Sequence, residues 1–412
     1  MKIIKVNGLT PIQSGMLFQY MLSNDKSSYM GTEIFELEGN INSDIFKSVL
    51  EKISDEYEVF RTNVIYDKID VPKSVVIDKR TIPFEFHKAV TDEEIKLLTY
   101  KINAEQFEKG FDIQRDSLIR LDLIVGENSS VIIFSFHHIL MDGYCAAMIA
   151  DIIMKNYGKL LGRQIENDGE YVPFSAYQDW IIIQDMSQSR EYWHEYLKDI
   201  SPVQPLELIQ FGSDRKKDVG HSSLTVEFTP SETKELLSAA AAGNATLNIY
   251  MQWLWGITLC RNFSCDKAVF GTVVSYRPAE FSNAERVLGP MINTVPVVFE
   301  CSSDIKITEQ LNAFRRSFLD SMEHSWIGLG EISKAVEDCK NLIDHLFVYD
   351  NFPEMDFGSI KENTGFQVKN FKLEERTEDA LTLEVSKTDR IRIRFNSVSY
   401  THLRAHETRS NL

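Results

Sequence analysis

Between Val131 and Gly143 the chain reads VIIFSFHHILMDG, an apolar run that ends abruptly in two histidines, an aspartate and a glycine. Val131, Ile133 and Ser135 fall on one side of an extended backbone and Ile132, Phe134 and Phe136 on the other. A mostly apolar run with β-branched members predicts a central strand buried on both faces. Because side chains alternate along a strand, the rings of His137 and His138 should face opposite ways, which argues against a metal ion shared between them. Asp142-Gly143 turns the chain. From Tyr144 to Leu161, Met148, Ile152 and Ile153 recur at helical spacing, with Asp151, Lys155 and Lys159 as a polar stripe.

The same patterning extends in both directions. Leu9–Leu22 reads as a helix in which Thr10 and Gln13 have capping-box spacing and Pro11 takes the first helical position. Gly31–Leu37 reads as a strand, Ser43–Tyr57 as a helix with Ile45, Val49, Leu50 and Ile53 inward, and Asn63–Tyr66 as a strand. Thr91 and Glu94 cap a helix that runs to about Lys109. Leu118–Val125 is the strand expected to pair beside the histidine strand. Pro202–Gly220 reads as a loop and boundary. Beyond it, Leu224–Phe228 is a strand, Thr229 caps a helix to Ala242, and Thr246 starts another carrying Ile249, Trp253 and Ile257. Ala268–Ser275 is a strand, Ile305–Met322 is amphipathic with Leu311, Phe314 and Phe318 inward, and Arg376–Val385 and Ile391–Tyr400 read as late strands.

Composition narrows the function classes. The 412 residues allow two or three domains, and 43% hydrophobic with 25% charged residues is ordinary for a globular protein. A net charge of -17 argues against nucleic acid or an anionic membrane as the main partner. Five cysteines without CxxC spacing fit a reducing cytoplasm. No apolar run approaches the length of a transmembrane helix, so the expectation is a soluble cytoplasmic protein. No GxxxxGK loop, GxGxxG fingerprint, GxSxG elbow or HExxH helix occurs, which argues against ATP-driven activation and against a hydrolase-type acyl-enzyme.

Taken alone, a histidine at a strand end is most often a hydrogen-bonded core residue, and Asp before Gly is usually a turn or an N-cap. Together, HHILMDG matches HHxxxDG, and the sequence resembles the condensation domains of nonribosomal peptide synthetases, members of the chloramphenicol acetyltransferase-like superfamily. Five further segments are similar to that family in order. They are LTPIQSGMLF at the start, DEYEVFRT, YVPFSAYQDW from Tyr171, VSYRPAE with GPMINTVPVVFE, and HLFVYDNFP from His345 to Pro353. Arg61 matches the second of two arginines usual in DEYEVFRT-like segments, whereas Glu56 stands where the first is usual. Pro290 and Met291 stand where larger apolar residues are more common. The resemblance covers residues 8–400; THLRAHETRSNL, residues 401–412, breaks the pattern and resembles a translated adaptor.

The resemblance implies an α/β fold of two acetyltransferase-like lobes, residues 1–180 and 181–400, each a mixed β-sheet flanked by helices, the two arranged as a V with His138 in a channel. It implies amide formation between an upstream acyl or aminoacyl (peptidyl) thioester and a downstream aminoacyl thioester. Both would be carried on phosphopantetheine by carrier domains, beside an adenylation domain, with no cofactor or metal bound by this chain itself. His138, as the second histidine, would orient the amine or accept its proton. Gly143 would admit close approach of substrate, since it lacks a Cβ. His137 would point away and pack. Asp142 would be a buried carboxylate that needs a partner, Arg277 first and Arg61 second, and Asn293 a polar support. The alternatives are a stand-alone acyltransferase of the same superfamily using a soluble amine or alcohol, and a catalytically silent platform for carrier domains.

Overall fold

The histidine run is the middle strand of a five-stranded sheet, in the order Gln367–Glu375, Met30–Glu38, Ser129–His137, Ile119–Val125, Phe84–Lys88. In this computed structural model residues 2–23, 25–165, 169, 171–200, 222–302, 304–336, 342–343, 345–350, 357–375 and 381–397 are described. Neighbouring strands are antiparallel except for the last pair, which is parallel. On one face Ile132, Phe134 and Phe136 pack with Phe46 and Leu50 of helix Ser43–Glu56 and with Ile149 and Ile153 of helix Gly143–Leu160. On the other, Val131 and Ile133 meet Ile95 and Ile102 of helix Asp92–Lys109. Burial on both faces is what the unbroken apolar run predicts, and each fully buried Ile or Phe contributes about 1.5–3 kcal/mol.

This sheet belongs to a compact unit of residues 1–184, 277–291 and 352–377. A second unit comprises residues 185–276, 292–351 and 378–412. The continuous halves read from the sequence, 1–180 and 181–400, are therefore not the compact units. Residues 367–375 join the first because they pair with Met30–Glu38 as its edge strand, and residues 277–291 because Val287–Leu288 pairs in parallel with Val172–Pro173. A three-stranded sheet of Ile3–Gly8, Lys73–Ile77 and Thr62–Ile65 completes the first unit's strands.

The second unit holds a six-stranded mixed sheet, in the order Ile292–Glu300, Lys267–Ser275, His345–Asp350, Leu381–Lys387, Ile391–Ser397, Ser222–Glu227. Its core joins Trp253 of helix Leu247–Phe263 and Phe314 and Phe318 of helix Ile307–Glu323 to Phe270 and Phe299 of the sheet. Thr229 and Glu232 form the full capping box expected at the start of helix Pro230–Ala242. Mixed sheets with flanking helices in both units make the fold α/β, as expected. Among the described residues no helix is long and apolar enough to cross a membrane.

Several expectations lie outside the described residues: the Pro202–Gly220 loop, residues 351–353 of HLFVYDNFP, residues 376–380 and 398–400 of the late strands, Cys339, and the tail from 401.

Candidate active site

The histidine strand ends in a turn that three elements hold. The His138 N–H donates to the Tyr29 carbonyl at 2.8 Å and the Leu140 N–H to the His137 carbonyl at 3.0 Å. Gln13, on helix Pro11–Ser23, donates its Nε2 to the Ile139 carbonyl at 2.9 Å. Its Oε1 accepts from Thr10 N at 3.2 Å, closing the capping box, and from Gln178 Nε2 at 2.8 Å. The cap residue seen in the sequence thus also fastens the HHILMDG turn to the helix.

The two rings have different surroundings. His137 is fully buried, its ring edge-on to Tyr20 at 5.7 Å and to Phe111 at 6.3 Å. Its Nδ1 accepts from Ile139 N at 3.0 Å. Burial, and then the neighbouring His138, push its pKa down to about 3, so it is a neutral packing group. His138 lies edge-on to Phe136 at 5.1 Å. Its Nδ1 is 3.3 Å from the Met141 carbonyl oxygen, and its Nε2 is 3.1 Å from Glu375 Oε1. Burial opposes its charged form, but the Glu375 carboxylate, its hydrogen bond, the Met141 carbonyl and Asp142 hold the pKa above the ordinary value.

Asp142 serves two purposes with its two oxygens and is fully buried. Oδ1 accepts from Cys145 N at 2.9 Å, the N-cap of helix Gly143–Leu160. Oδ2 accepts from Met291 N at 2.9 Å and lies 3.4 Å from Arg277 Nη2. Arg277 in turn donates to the Ala284 carbonyl at 3.1 Å and lies over the Tyr144 ring at 4.0 Å. Cys145 Sγ, in the first turn of the helix, accepts from Gly289 N at 3.1 Å. Residues 277–291 thereby clamp the first turn of the helix that begins at Gly143.

The remaining residues named from the sequence have partners of their own. Arg61 donates to the carbonyls of Ser54 at 2.6 Å, Ile77 at 2.8 Å and Asp55 at 3.2 Å, so it secures the C-terminus of helix Ser43–Glu56. Asn293, on strand Ile292–Glu300 of the second unit, donates to Ser325 and Ile327 carbonyls at 2.6 and 2.7 Å and so fastens that segment to its own strand. Among the described residues the one group that could hold a metal ion is Glu85, His87 and Asp122, which includes neither His137 nor His138.

Glu375 was not singled out from the sequence. It ends the edge strand, opposite Gly31, which in turn faces Phe136. A Cβ at Gly31 would meet the Phe136 ring at 2.5 Å, so the missing side chain lets that ring pack against the backbone here. One pleat further in, Glu33 is buried among Phe35, Phe46, Phe134 and Ile153 with no partner for its Oε2. Burial, and then Glu375, push its pKa up to about 8.

Comparison with known proteins gives a single answer. The family model described as "Condensation domain" matches residues 4–405. Gramicidin S synthase 2 of Brevibacillus brevis is 31% identical over 407 residues, 95% of this chain and 9% of that protein. Tyrocidine synthase 2 of Brevibacillus parabrevis is 28% identical over 394 residues, 94% of this chain and 11% of that protein. The chain thus spans about a tenth of these relatives. Among solved structures, a variant starter condensation domain of rhizomide synthetase in complex with C8-CoA and Leu-SNAC aligns with a TM-score of 0.80 at 16% identity, covering 98% of this chain and 92% of that one. The first condensation domain of the calcium-dependent antibiotic synthetase, in complex with a substrate analogue, aligns with a TM-score of 0.75 at 16% identity, covering 96% and 91%.

Proposed function

The chain belongs to the condensation domain family of nonribosomal peptide synthetases, acyltransferases that form peptide bonds, and on that premise we propose how its own residues do so. The donor is an acyl, aminoacyl or peptidyl thioester on the phosphopantetheine of an upstream carrier domain, and the acceptor is an aminoacyl thioester on a downstream one. The acceptor nitrogen attacks the donor carbonyl; a C–N bond forms, the C–S bond breaks, and one N–H proton ends on the departing thiol. His138 is the group that takes that proton or orients the amine, help that is typically worth about 10² to 10⁴-fold. The thioester is already activated, so most of the remaining work is alignment of two tethered partners.

The observation that carries this reading is the contrast between the two adjacent rings. His137 is sealed among Tyr20 and Phe111 and stays neutral, whereas His138 sits at the turn with its Nε2 toward a carboxylate. Asp142 and Arg277 act as support, because their contacts tie the turn and the helix start to residues 277–291. Gly143, the first residue of that helix, carries no Cβ, and to it we assign the close approach of substrate at the turn.

The test mixes the chain with a donor-loaded and an acceptor-loaded carrier domain and follows the acceptor carrier by intact-protein mass spectrometry. The expected result is a mass gain equal to the donor acyl group that requires both loaded carriers. Tight association of both carriers without any mass gain would support the silent platform instead, and efficient use of a free amine in place of the loaded acceptor would support the stand-alone acyltransferase.

A further inference from the structure

The ring of His138 lies between two oxygens that only accept. Nδ1 is 3.3 Å from the Met141 carbonyl and Nε2 is 3.1 Å from the Glu375 carboxylate. A neutral imidazole carries one N–H and can satisfy one such acceptor; both are satisfied only when both nitrogens are protonated. An imidazolium is not a base, and Glu375 covers the Nε2 side of the ring.

The charged groups around the pair favour this state. Asp142, one residue beyond Met141, adds a second negative charge near the ring. Arg277 is directed at Asp142 Oδ2. His137 is neutral, and Glu33, held protonated up to about pH 8 by its apolar surroundings, leaves Glu375 as the carboxylate that faces the ring. Gly31 contributes no side chain to the row between Glu375 and Phe136; the Phe136 ring packs over it and lies edge-on to His138 at 5.1 Å, so this side of the pair is apolar and adds no charge.

An aminoacyl thioester also presents a cation, its α-ammonium, and a carboxylate that pairs with one cation can pair with another. We propose that Glu375 is a positioning residue that holds the unliganded His138 as an imidazolium, and that the acceptor's α-ammonium displaces this ring by taking the same carboxylate. This rests on the role given to His138 above and adds what it lacks: the group that sets the charge of the ring and the seat of the acceptor nitrogen. The exchange balances in protons. The imidazolium–Glu375 pair and the free ammonium become a neutral His138 and an ammonium–Glu375 pair, with one proton released to water. Neutral Nε2 then faces an ammonium N–H and accepts its proton as the amine is freed to attack. The imidazolium so formed gives that proton to the departing thiolate, and the second N–H proton, lost from nitrogen as the amide forms, is taken up by the ring in turn. A donor thioester, which need not carry an ammonium, does not make this exchange, so the ring becomes a base only when an acceptor is in place.

The experiment is an NMR titration of the 412-residue chain with labelled histidine, the His138 signal being assigned by its loss in His138→Ala. In the wild type the His138 midpoint should lie above that of free imidazole, and Glu375→Gln, close to isosteric but uncharged, should lower the proton affinity at least tenfold. Glu375→Asp, which keeps the charge, should lie nearer to wild type, and covers the case in which the glutamine variant does not fold. At a pH where wild-type His138 is protonated, leucyl-N-acetylcysteamine should convert the ring to the neutral form, and its des-amino counterpart, 4-methylpentanoyl-N-acetylcysteamine, should not. An unchanged His138 midpoint in Glu375→Gln, or equal responses to the two thioesters, overturns the proposal. None of these readouts needs turnover, so they stand apart from the test of His138 itself, which fails if His138→Ala still forms amide between loaded carriers.

Discussion

Two buried groups of the first unit place opposite slopes on stability against pH. His137 has its folded pKa depressed to about 3 against roughly 6.5 for a free imidazole, so the unfolded chain binds the proton first. Its contribution is fully present above about pH 6.5 and is lost, at about 1.4 kcal/mol per pH unit, as pH falls toward 3. Glu33 runs the other way. Its folded pKa is raised to about 8 against roughly 4.3 unfolded, so stability is present below about pH 4.3 and declines as pH rises toward 8. Urea unfolding between pH 4 and 8 checks both signs. His137→Phe should flatten the acid side, and Glu33→Gln should flatten the decline on the alkaline side and leave the protein more stable than wild type at pH 8. A Glu33→Gln variant that loses the same stability as wild type between pH 5 and 8 would show that Glu33 is solvated and ionised. Of these residues the histidines were legible, because an apolar run ending in two of them is a local pattern. Glu33 was not: one of three glutamates in MGTEIFELE, it reads like a solvent-facing member of an alternating strand, and only the helices packed on its own face bury it.

At the scale of elements the turn after His138 depends on a clamp, and Asp142 is where cap and clamp meet. Asn caps a helix about as well as Asp, so a cap alone would tolerate Asp142→Asn. Here Oδ2 faces two donors, Met291 N and Arg277 Nη2, and an amide NH₂ placed there would oppose them. Asp142→Asn and Arg277→Met should each cost about 3–5 kcal/mol, and the double variant clearly less than their sum. Additive losses in that double-mutant cycle would reduce the contact to a coincidence of packing. Gly31→Ala should cost about 1–3 kcal/mol by forcing the Phe136 ring aside, and a calorimetric melting point equal to wild type would contradict it. Elements with caps or clear period were legible: the predicted helices starting at Thr229, Thr246 and Thr91 begin at those N-caps. The edge strand Gln367–Glu375 was not. Its sequence, QVKNFKLEE, is charged as exposed edges are, and a register shift between Val368 and Asn370 breaks the alternation that would reveal it. Glu375 was invisible for the same reason.

At the scale of the molecule, the first unit is assembled from three stretches of chain, which no local pattern announces. Periodicity reports which residues face a core, not which later segment returns to an earlier sheet. Residues 1–184 alone would leave the Met30–Glu38 edge unpaired and Asp142 buried without Arg277 or Met291 N–H. That fragment should therefore be insoluble or rapidly degraded in limited proteolysis, whereas the chain carrying 277–291 and 352–377 as well should resist; a stable, sharply melting fragment would contradict the division. On the function proposed above, amide formation between two carrier-bound thioesters runs through His138. The measurement that meets it most directly is a single-turnover assay, with the chain in excess over donor- and acceptor-loaded carriers and the acceptor carrier's mass followed in time. Wild type should transfer the donor acyl group, His138→Ala should be slower by about 10² to 10⁴-fold while melting as wild type does, and His137→Phe, if folded, should retain most of the rate. Equal rates for His138→Ala and wild type would contradict the account.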